Sequence, residues 1–293
     1  MSASLHDDGP SRPDLPPGTR PPLRRMTGPT FEIVFLFHSD LELLARTLPR
    51  CIEALTSCTE ETFDVILHCD GTPPDVVAQL PGLWAELGLD ELRLRRRGQL
   101  VASGDPSNNG HRRFLDTRAP YVIVLEDDVA AFKTDPSFDV LHQMRRLFEA
   151  CPGLPVIFTV ADHWQWVWKL QDVGAPVAPG VRSVNRVSTH FIAYAVDRFV
   201  PTAERFGAFD LDVFTDRDDL SYNWEDVVSH VGTTGNRRIA YPEAWPLKVF
   251  HCDRKVQDGS IHHTRDPRLK RVVLDELEQQ FVPASSAKSK SLS

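Results

Sequence analysis

Three acids follow directly on a hydrophobic run in Tyr121-Val-Ile-Val-Leu-Glu-Asp-Asp-Val129. The side chains of residues 121–125 favour strand. Glu126, Asp127 and Asp128 are therefore expected at the C-terminal end of a buried strand, the edge at which open α/β sheets take their ligands. Carboxylates this close repel one another. A divalent cation, together with a ligand that brings hydroxyl or phosphate oxygens, relieves that repulsion. An acidic turn left in water after a core strand is the other reading of the same residues. A second pair of acids stands in Trp224-Glu225-Asp226, in the first turn of an expected helix, where the peptide dipole keeps a carboxylate ionised. A third polar group closes an irregular strand and comprises His251, Asp253, Arg254 and Lys255. His251 reads as a structural histidine or as a metal ligand, with Asp253 competing for the second role. Arg254 and Lys255 read as a solvated basic loop or as a phosphate contact.

Alternating elements must position these groups. Residues 31–37 read as a buried strand, Asp40 as the cap of a helix through about residue 57, and residues 63–69 as a second strand ending at Asp70-Gly71. A helix over about 74–87, a strand near 91–95, a short helix near 110–117 and the strand before the acids follow. Strands alternating with helices of this length imply an α/β fold with a mostly parallel, doubly wound sheet. The later rhythm is less regular: a strand over 156–160, a strand pair or strand and turn over 185–196, helices over 197–206 and 224–231, and irregular strand over 238–250. Residues 1–28, with Pro10, Pro13, Pro16, Pro17, Pro21 and Pro22 among polar neighbours, read as a disordered leader. Residues 283–293, rich in Ser, Ala and Lys, read as its counterpart, leaving 29–282 as a single domain.

Composition narrows the function classes. The 293 residues, 41% hydrophobic and 25% charged, suffice for one large domain with a substantial core. A net charge of −8 argues against a nucleic-acid partner, since backbone phosphates are held by clustered Lys and Arg. The dense basic run is Arg93, Arg95, Arg96 and Arg97, a solvated strand end or an attractor for a nucleotide phosphate. Cys51, Cys58, Cys69, Cys151 and Cys252 form no Cys-x-x-Cys pair and are odd in number, so reduced thiols in a cytoplasmic protein are expected. No apolar run is long enough for a transmembrane helix, and the acidic, proline-rich N-terminus is not a secretory signal.

Five segments in chain order resemble a glycosyltransferase of the GT-A fold. The likeness is nearest to the inverting N-acetylglucosaminyltransferase I family and more distant to the family-2 glycosyltransferases. Val124-Leu-Glu-Asp-Asp-Val129 resembles the family's metal-binding signature, and Val156-Ile-Phe-Thr-Val-Ala-Asp-His-Trp164 its next strand and Trp-containing loop. Asn185-Arg-Val-Ser-Thr-His-Phe-Ile-Ala-Tyr194 resembles a donor and acceptor segment. Asn223-Trp-Glu-Asp226 resembles the catalytic Trp-acid-Asp, and Phe250-His-Cys-Asp-Arg-Lys255 through Gly259 a basic loop. Together they span about residues 31–260. The chain departs from the family in lacking a membrane anchor and in carrying His251 and Cys252 where a glycine is expected.

The resemblance implies roles. Asp128 is the metal ligand, with Mn2+ or Mg2+ suited to carboxylate and phosphate oxygens, and His251 the second ligand unless Asp253 takes its place. Asp127 accepts from the ribose and Glu126 from a hydroxyl of the donor sugar. Asp70 faces the nucleoside, or belongs to an Asp-Gly turn. Asn109, Gly110, Arg112 and Arg113 line the donor site, with Arg113 favoured of the two arginines. Arg254 and Lys255 close over the pyrophosphate. Trp164, Trp166 and Trp168 alternate at period two, which suits stacking on a sugar, Trp164 first, or one core-facing strand face. Glu225 contacts the substrate, and Asp226 is the general base. The implied half-domains are nucleotide-binding, about 29–130, and acceptor-binding, about 131–282.

The expected function is then metal-dependent, inverting transfer of a sugar from a nucleotide diphosphate donor to an acceptor hydroxyl. A UDP-sugar is the donor in view, with GlcNAc as the sugar. Two alternatives stay open. A sugar-nucleotide nucleotidyltransferase shares sheet and metal but needs a Gly-rich, Arg-containing phosphate loop after the first strand, where this chain has His38-Ser39-Asp40. A nucleotide-sugar-binding protein without turnover has no need of Asp226.

Overall fold

The computed structural model describes residues 28–69, 72–87, 99–102, 117–159, 174–187, 190–205, 224–253 and 272–281. The chain starts with β1 (Phe31–Phe37), whose seven residues are all buried. A strand covered on both sides has no use for polar alternation, which is why the run is apolar at every position but Glu32. In α1 (Leu41–Thr56) the Asp40 carboxylate accepts from the Leu43 N–H at 2.9 Å, the expected cap. β2 (Phe63–Cys69) follows with the expected bounds. The single helix expected over 74–87 is instead two pieces, α2 (Pro74–Val77) and α3 (Leu80–Glu86). Pro81 lacks an N–H and its ring collides with the carbonyl four residues back, so the helix restarts with Pro81 in its first turn.

β3 (Gln99–Ala102) borders β2; the strand expected near 91–95, Arg93 and Arg95 to Arg97, and most of the helix expected near 110–117 lie outside the described residues. β4 (Tyr121–Glu126) delivers the acids, and Asp127 and Asp128 turn the chain into β5 (Val129–Lys133). A helix without counterpart in the expected order, α4 (Val140–Ala150), is capped by Asp139, which accepts from the His142 N–H at 3.0 Å. Its buried Val140, Leu141, Met144, Leu147 and Phe148 have helical spacing, a legible signal. β6 (Val156–Phe158), β7 (Pro176–Ala178), β8 (Val181–Val184) and β9 (Phe191–Ala195) lead to α5 (Val196–Arg205). Of the two arrangements expected over 185–196, a strand pair or a strand and turn, the structure has one strand there, β9, and the pair β7 and β8 lies before it. After α6 (Trp224–Thr233), the irregular strand expected over 238–250 resolves into β10 (Ile239–Tyr241) and β11 (Leu247–Asp253). β12 (Val272–Val273) and α7 (Leu274–Phe281) complete the described chain.

Nine strands form one sheet in the order β3-β2-β1-β4-β9-β6-β10-β8-β7. β2, β1 and β4 pair in parallel, with Phe31 opposite both Phe63 and Tyr121. Following the pairings outward, only β9 and β8 run against the common direction, so the sheet is mostly parallel, as expected. The fold is α/β and doubly wound. Phe31, Ile33, Phe35 and Phe37 pack with α1 and α4 on one face, and Val34 and Leu36 with α5 and α6 on the other. Arg198 of α5 ties these layers together by donating to the carbonyls of Phe148, Cys151 and Leu154, at and just beyond the end of α4, at 2.8, 3.0 and 3.1 Å.

A second sheet, β12-β11-β5, stands beyond the C-terminal end of β4. Val129, Ala131, Leu247 and Val249 join the α1 core, while Ala130, Phe132, Phe250 and Cys252 pack with Leu43, Leu274, Leu277 and Phe281. This alternation buries both faces. All five cysteines are free thiols. Among the described residues no helix is long and apolar enough to cross a membrane. Apart from Gly28, residues 1–28 and 283–293 lie outside the description.

Candidate active site

The acidic turn sits at the C-terminal ends of β1, β2 and β4, and four separate segments hold it. The Asp127 carboxylate accepts from the His38 N–H just past β1, at 3.1 Å. Thr47 of α1 donates its hydroxyl to the Asp127 carbonyl at 2.6 Å. The Cys252 N–H of β11 donates to the Asp128 carbonyl at 2.6 Å, and the Glu126 N–H to the His190 carbonyl at 3.3 Å. An acidic segment so tethered is preorganised, because it cannot relax without breaking bonds to the residue after β1, to α1, to the residue before β9 and to β11.

Its electrostatics are unfavourable for an anion. Burial, above all, pushes the Asp127 carboxyl up to about 7; the Asp128 charge adds to the effect, the His38 N–H opposes it, and Glu126 and Asp40 add smaller repulsions. Such a concentration of carboxylate oxygens is the donor set of a hard divalent cation, so the residues present fit Mn2+ or Mg2+. Among the described residues, no group of three or more His, Cys, Asp and Glu side chains is arranged around one point as a complete metal site.

β11 brings the second expected ligand to the turn. Along the antiparallel ladder His251 is the register partner of Val129, and the Cys252 contact with Asp128 extends the pairing by one residue. The backbones of 251–253 and 127–129 therefore run side by side. The side chains of His251 and Asp253 lie outside the description.

α6 sets the position of Asp226. β10 is parallel to β6, β6 antiparallel to β9, and β9 antiparallel to β4, so β10 and β4 point the same way. α6 is joined to β10 by a short connection and packs on the same face through Val227, Val228, Val231 and Ile239, all fully buried. A helix that turns straight back into the strand it covers runs against that strand. Its first turn, Trp224 to Asp226, is thereby carried to the edge occupied by the acidic turn. Gly232 permits the close approach, since a Cβ there would collide with the Ile239 side chain. The Ser229 hydroxyl accepts from the Val187 N–H at 3.1 Å and anchors the helix beside the segment leading into β9. The side chains of Trp224, Glu225 and Asp226 lie outside the description.

No protein-family model and no curated protein matches this chain. Among solved structures it is similar to the mannosyltransferase PcManGT from Pyrobaculum calidifontis in complex with GDP-Man and Mn2+, at 12% identity and a TM-score of 0.49 over 74% of this chain and 55% of that one. It is similar also to S. aureus TarS 1–349 in complex with UDP-GlcNAc, at 11% identity and a TM-score of 0.45 over 73% of this chain and 56% of that one. The chain spans just over half the length of either.

Three residues at the site have no role in the sequence reading. Thr47 and His38 bind the turn, and His190, 6% exposed, lies with Nε2 3.8 Å from Glu126 Oε2. His190 stands inside the quoted segment 185–194, but only the pairing of β9 with β4 brings it to Glu126. A threonine in the middle of a helix carries no sequence signal of a tertiary hydrogen bond. Of the expected site residues, Asp70, Asn109, Gly110, Arg112, Arg113, Trp164, Trp166, Trp168, Arg254 and Lys255 lie outside the described residues.

Proposed function

We propose that the chain is a GT-A-type, metal-dependent glycosyltransferase that moves a sugar from a nucleotide diphosphate to an acceptor hydroxyl with inversion at the anomeric carbon. The observation that carries this reading is the union, at one sheet edge, of three chain segments with the chemistry such a transfer needs. These are the acidic turn 126–128, the strand bearing His251 and Asp253 in register with it, and the start of α6 with Asp226. Asp128 holds the cation, with His251 or Asp253 as its second ligand. A bound Mn2+ or Mg2+ supplies Lewis-acid stabilisation of the negative charge that develops on the departing diphosphate.

The remaining steps belong to side chains. Asp127, already fixed by the His38 N–H, accepts from the ribose, and Glu126 from a hydroxyl of the sugar. Asp70, Arg113, Trp164, Arg254 and Lys255 contribute nucleoside, phosphate and sugar contacts, and Glu225 flanks the acceptor. Asp226, kept ionised by the α6 N-terminus, removes the acceptor proton while the acceptor oxygen bonds to the anomeric carbon. The bond from that carbon to the diphosphate oxygen breaks, and the electron pair leaves with the nucleotide. A single displacement requires base and leaving group on opposite sides of the sugar, which suits acids drawn from the end of β4 and from the start of α6. A UDP-sugar, with GlcNAc as the sugar, is the donor proposed.

The test is a donor screen in Mn2+ by thermal unfolding, followed by hydrolysis of the bound donor with the anomer of the released sugar read by NMR. Metal-dependent stabilisation by a nucleotide sugar and an inverted product are expected. Full turnover in EDTA or a retained configuration contradicts the assignment.

A further inference from the structure

We infer that His190 is a positioning residue that holds the Glu126 carboxylate ready for a hydroxyl of the transferred sugar; the inference rests on the proposed function and extends it to sugar recognition. Leu125 and Phe191 are register partners of β4 and β9, and the Glu126 N–H donates to the His190 carbonyl at 3.3 Å, so the two residues stand opposite each other. Opposed residues of an antiparallel pair project from one face. On that face the next row inward is apolar and sealed: Val34, Val124 and Ile192 are fully buried, packed with Val187 of the loop and with Val227 and Val228 of α6. The pair therefore marks the level at which this wall turns polar, between the acidic turn and the helix that carries Asp226.

The two side chains differ in access. The His190 side chain is 8% exposed and the Glu126 side chain 27%, with Nε2 and Oε2 3.8 Å apart. The imidazole is the inner partner and the carboxylate the outer one, so a ligand meets Glu126 and feels His190 through it. At this separation the two groups share no direct hydrogen bond, and a water between them or a small side-chain shift joins them. A carboxylate accepts and does not donate, which suits a sugar hydroxyl as its ligand, and a held carboxylate loses less rotational freedom when that bond forms. Glu126 is also offset from the metal ligand by two residues along the chain. Loss of His190 should therefore touch sugar recognition and spare the diphosphate.

Wild type, His190→Leu, His190→Gln, Glu126→Gln and the double variant of His190→Leu with Glu126→Gln are titrated calorimetrically in Mn2+ with UDP, GDP, UDP-GlcNAc and GDP-mannose. For whichever nucleotide wild type binds, His190→Leu and Glu126→Gln should each weaken the sugar nucleotide roughly tenfold more than they weaken the bare diphosphate. The double variant should lose no more than either single one, since both remove one coupled contact. His190→Gln, whose amide N–H reaches the place of Nε2–H, should recover most of the loss. Equal weakening of sugar nucleotide and bare diphosphate, or additive losses in the double variant, overturns the inference and assigns His190 to the fold alone. Should His190→Leu not fold, Glu126→Gln and His190→Gln decide: wild-type binding of the sugar nucleotide by Glu126→Gln, or a loss in His190→Gln shared with the bare diphosphate, overturns it. A wild type that binds none of the four probes refutes the proposed function, and the His190 inference falls with it.

Discussion

Replacing Thr47 by valine isolates one hydrogen bond between the helix and the acidic turn. Thr47 is 1% exposed, and its hydroxyl lies 2.6 Å from the Asp127 carbonyl, against 3.1 Å and 3.5 Å from the Leu43 and Leu44 carbonyls of its own helix. One proton serves one acceptor well, and the shortest contact takes it. Valine has nearly the same shape, so no cavity opens, and the change removes the bond and strands a carbonyl in a partly buried turn. That loss is worth about 1–3 kcal/mol. For a domain of this size each kcal/mol moves Tm by about 2–4 °C, so a drop of about 2–12 °C is expected in EDTA. Serine at the same position keeps the hydroxyl and loses a methyl group, about 1 kcal/mol, so its Tm should fall by only about 2–4 °C. The two variants separate most clearly in metal affinity. Thr47 holds the peptide that joins Asp127 to the proposed ligand Asp128; a group that supports a ligand from behind typically contributes about 10–100-fold in affinity, so Mn2+ titration should show a loss in that range for Thr47→Val and little change for Thr47→Ser. Equal Mn2+ affinity in the two variants would show that the turn keeps its place without Thr47, and the account of how the site is held would be wrong.

Further outcomes test the site and its surroundings. Asp128→Asn should abolish both the Mn2+-induced rise in Tm and donor hydrolysis; a variant that still responds to Mn2+ moves the metal elsewhere. Asp226→Asn should bind donor as wild type does and turn over about 10²–10⁴-fold more slowly, and near-normal turnover would pass the base assignment to Glu225. Gly232→Ala should lower Tm by about 2–12 °C, because a Cβ meets the Ile239 side chain across the α6–β10 contact and overpacking costs about 1–3 kcal/mol; unchanged stability would mean that α6 stands further from β10. Burial raises the Cys51 thiol from its ordinary value of 9.0 to about 12. Its folded value exceeds its unfolded one, so this group supports the fold fully below about pH 9 and withdraws that support as pH climbs toward 12. Native iodoacetamide labelling should accordingly reach exposed Cys58 and spare Cys51, Cys69 and Cys252, and rapid labelling of Cys51 would contradict its buried contact with the Val129 carbonyl.

Much of the nucleotide-side architecture follows from local chemistry. β1 and β2 carry continuous apolar runs, Asp40 caps the next helix, and the acids follow the last apolar residue of β4; each signal lies within a few residues of its effect. The break at Pro81 and the helix after Asp139 are of the same local kind, signalled by a proline and by a capping aspartate next to the elements they shape. β5 differs. Five residues after two acids say nothing about pairing, and Val129 to Lys133 become a strand because β11, more than a hundred residues away, supplies the hydrogen-bond partners.

The sequence by itself determined which residues can do chemistry and that Glu126 to Asp128 end a strand. Tertiary structure alone decided which groups meet. The backbone of His251 is brought beside the acidic turn by the β5–β11 register, the first turn of α6 is brought to the same edge by the direction of that helix, and His190 faces Glu126 because β9 inserts antiparallel beside β4. The physical reason lies in the range of the forces. Caps, turns and side-chain period act over one or two turns of chain, whereas strand order is chosen by the burial of both sheet faces at once, a property of the whole chain that no short segment carries.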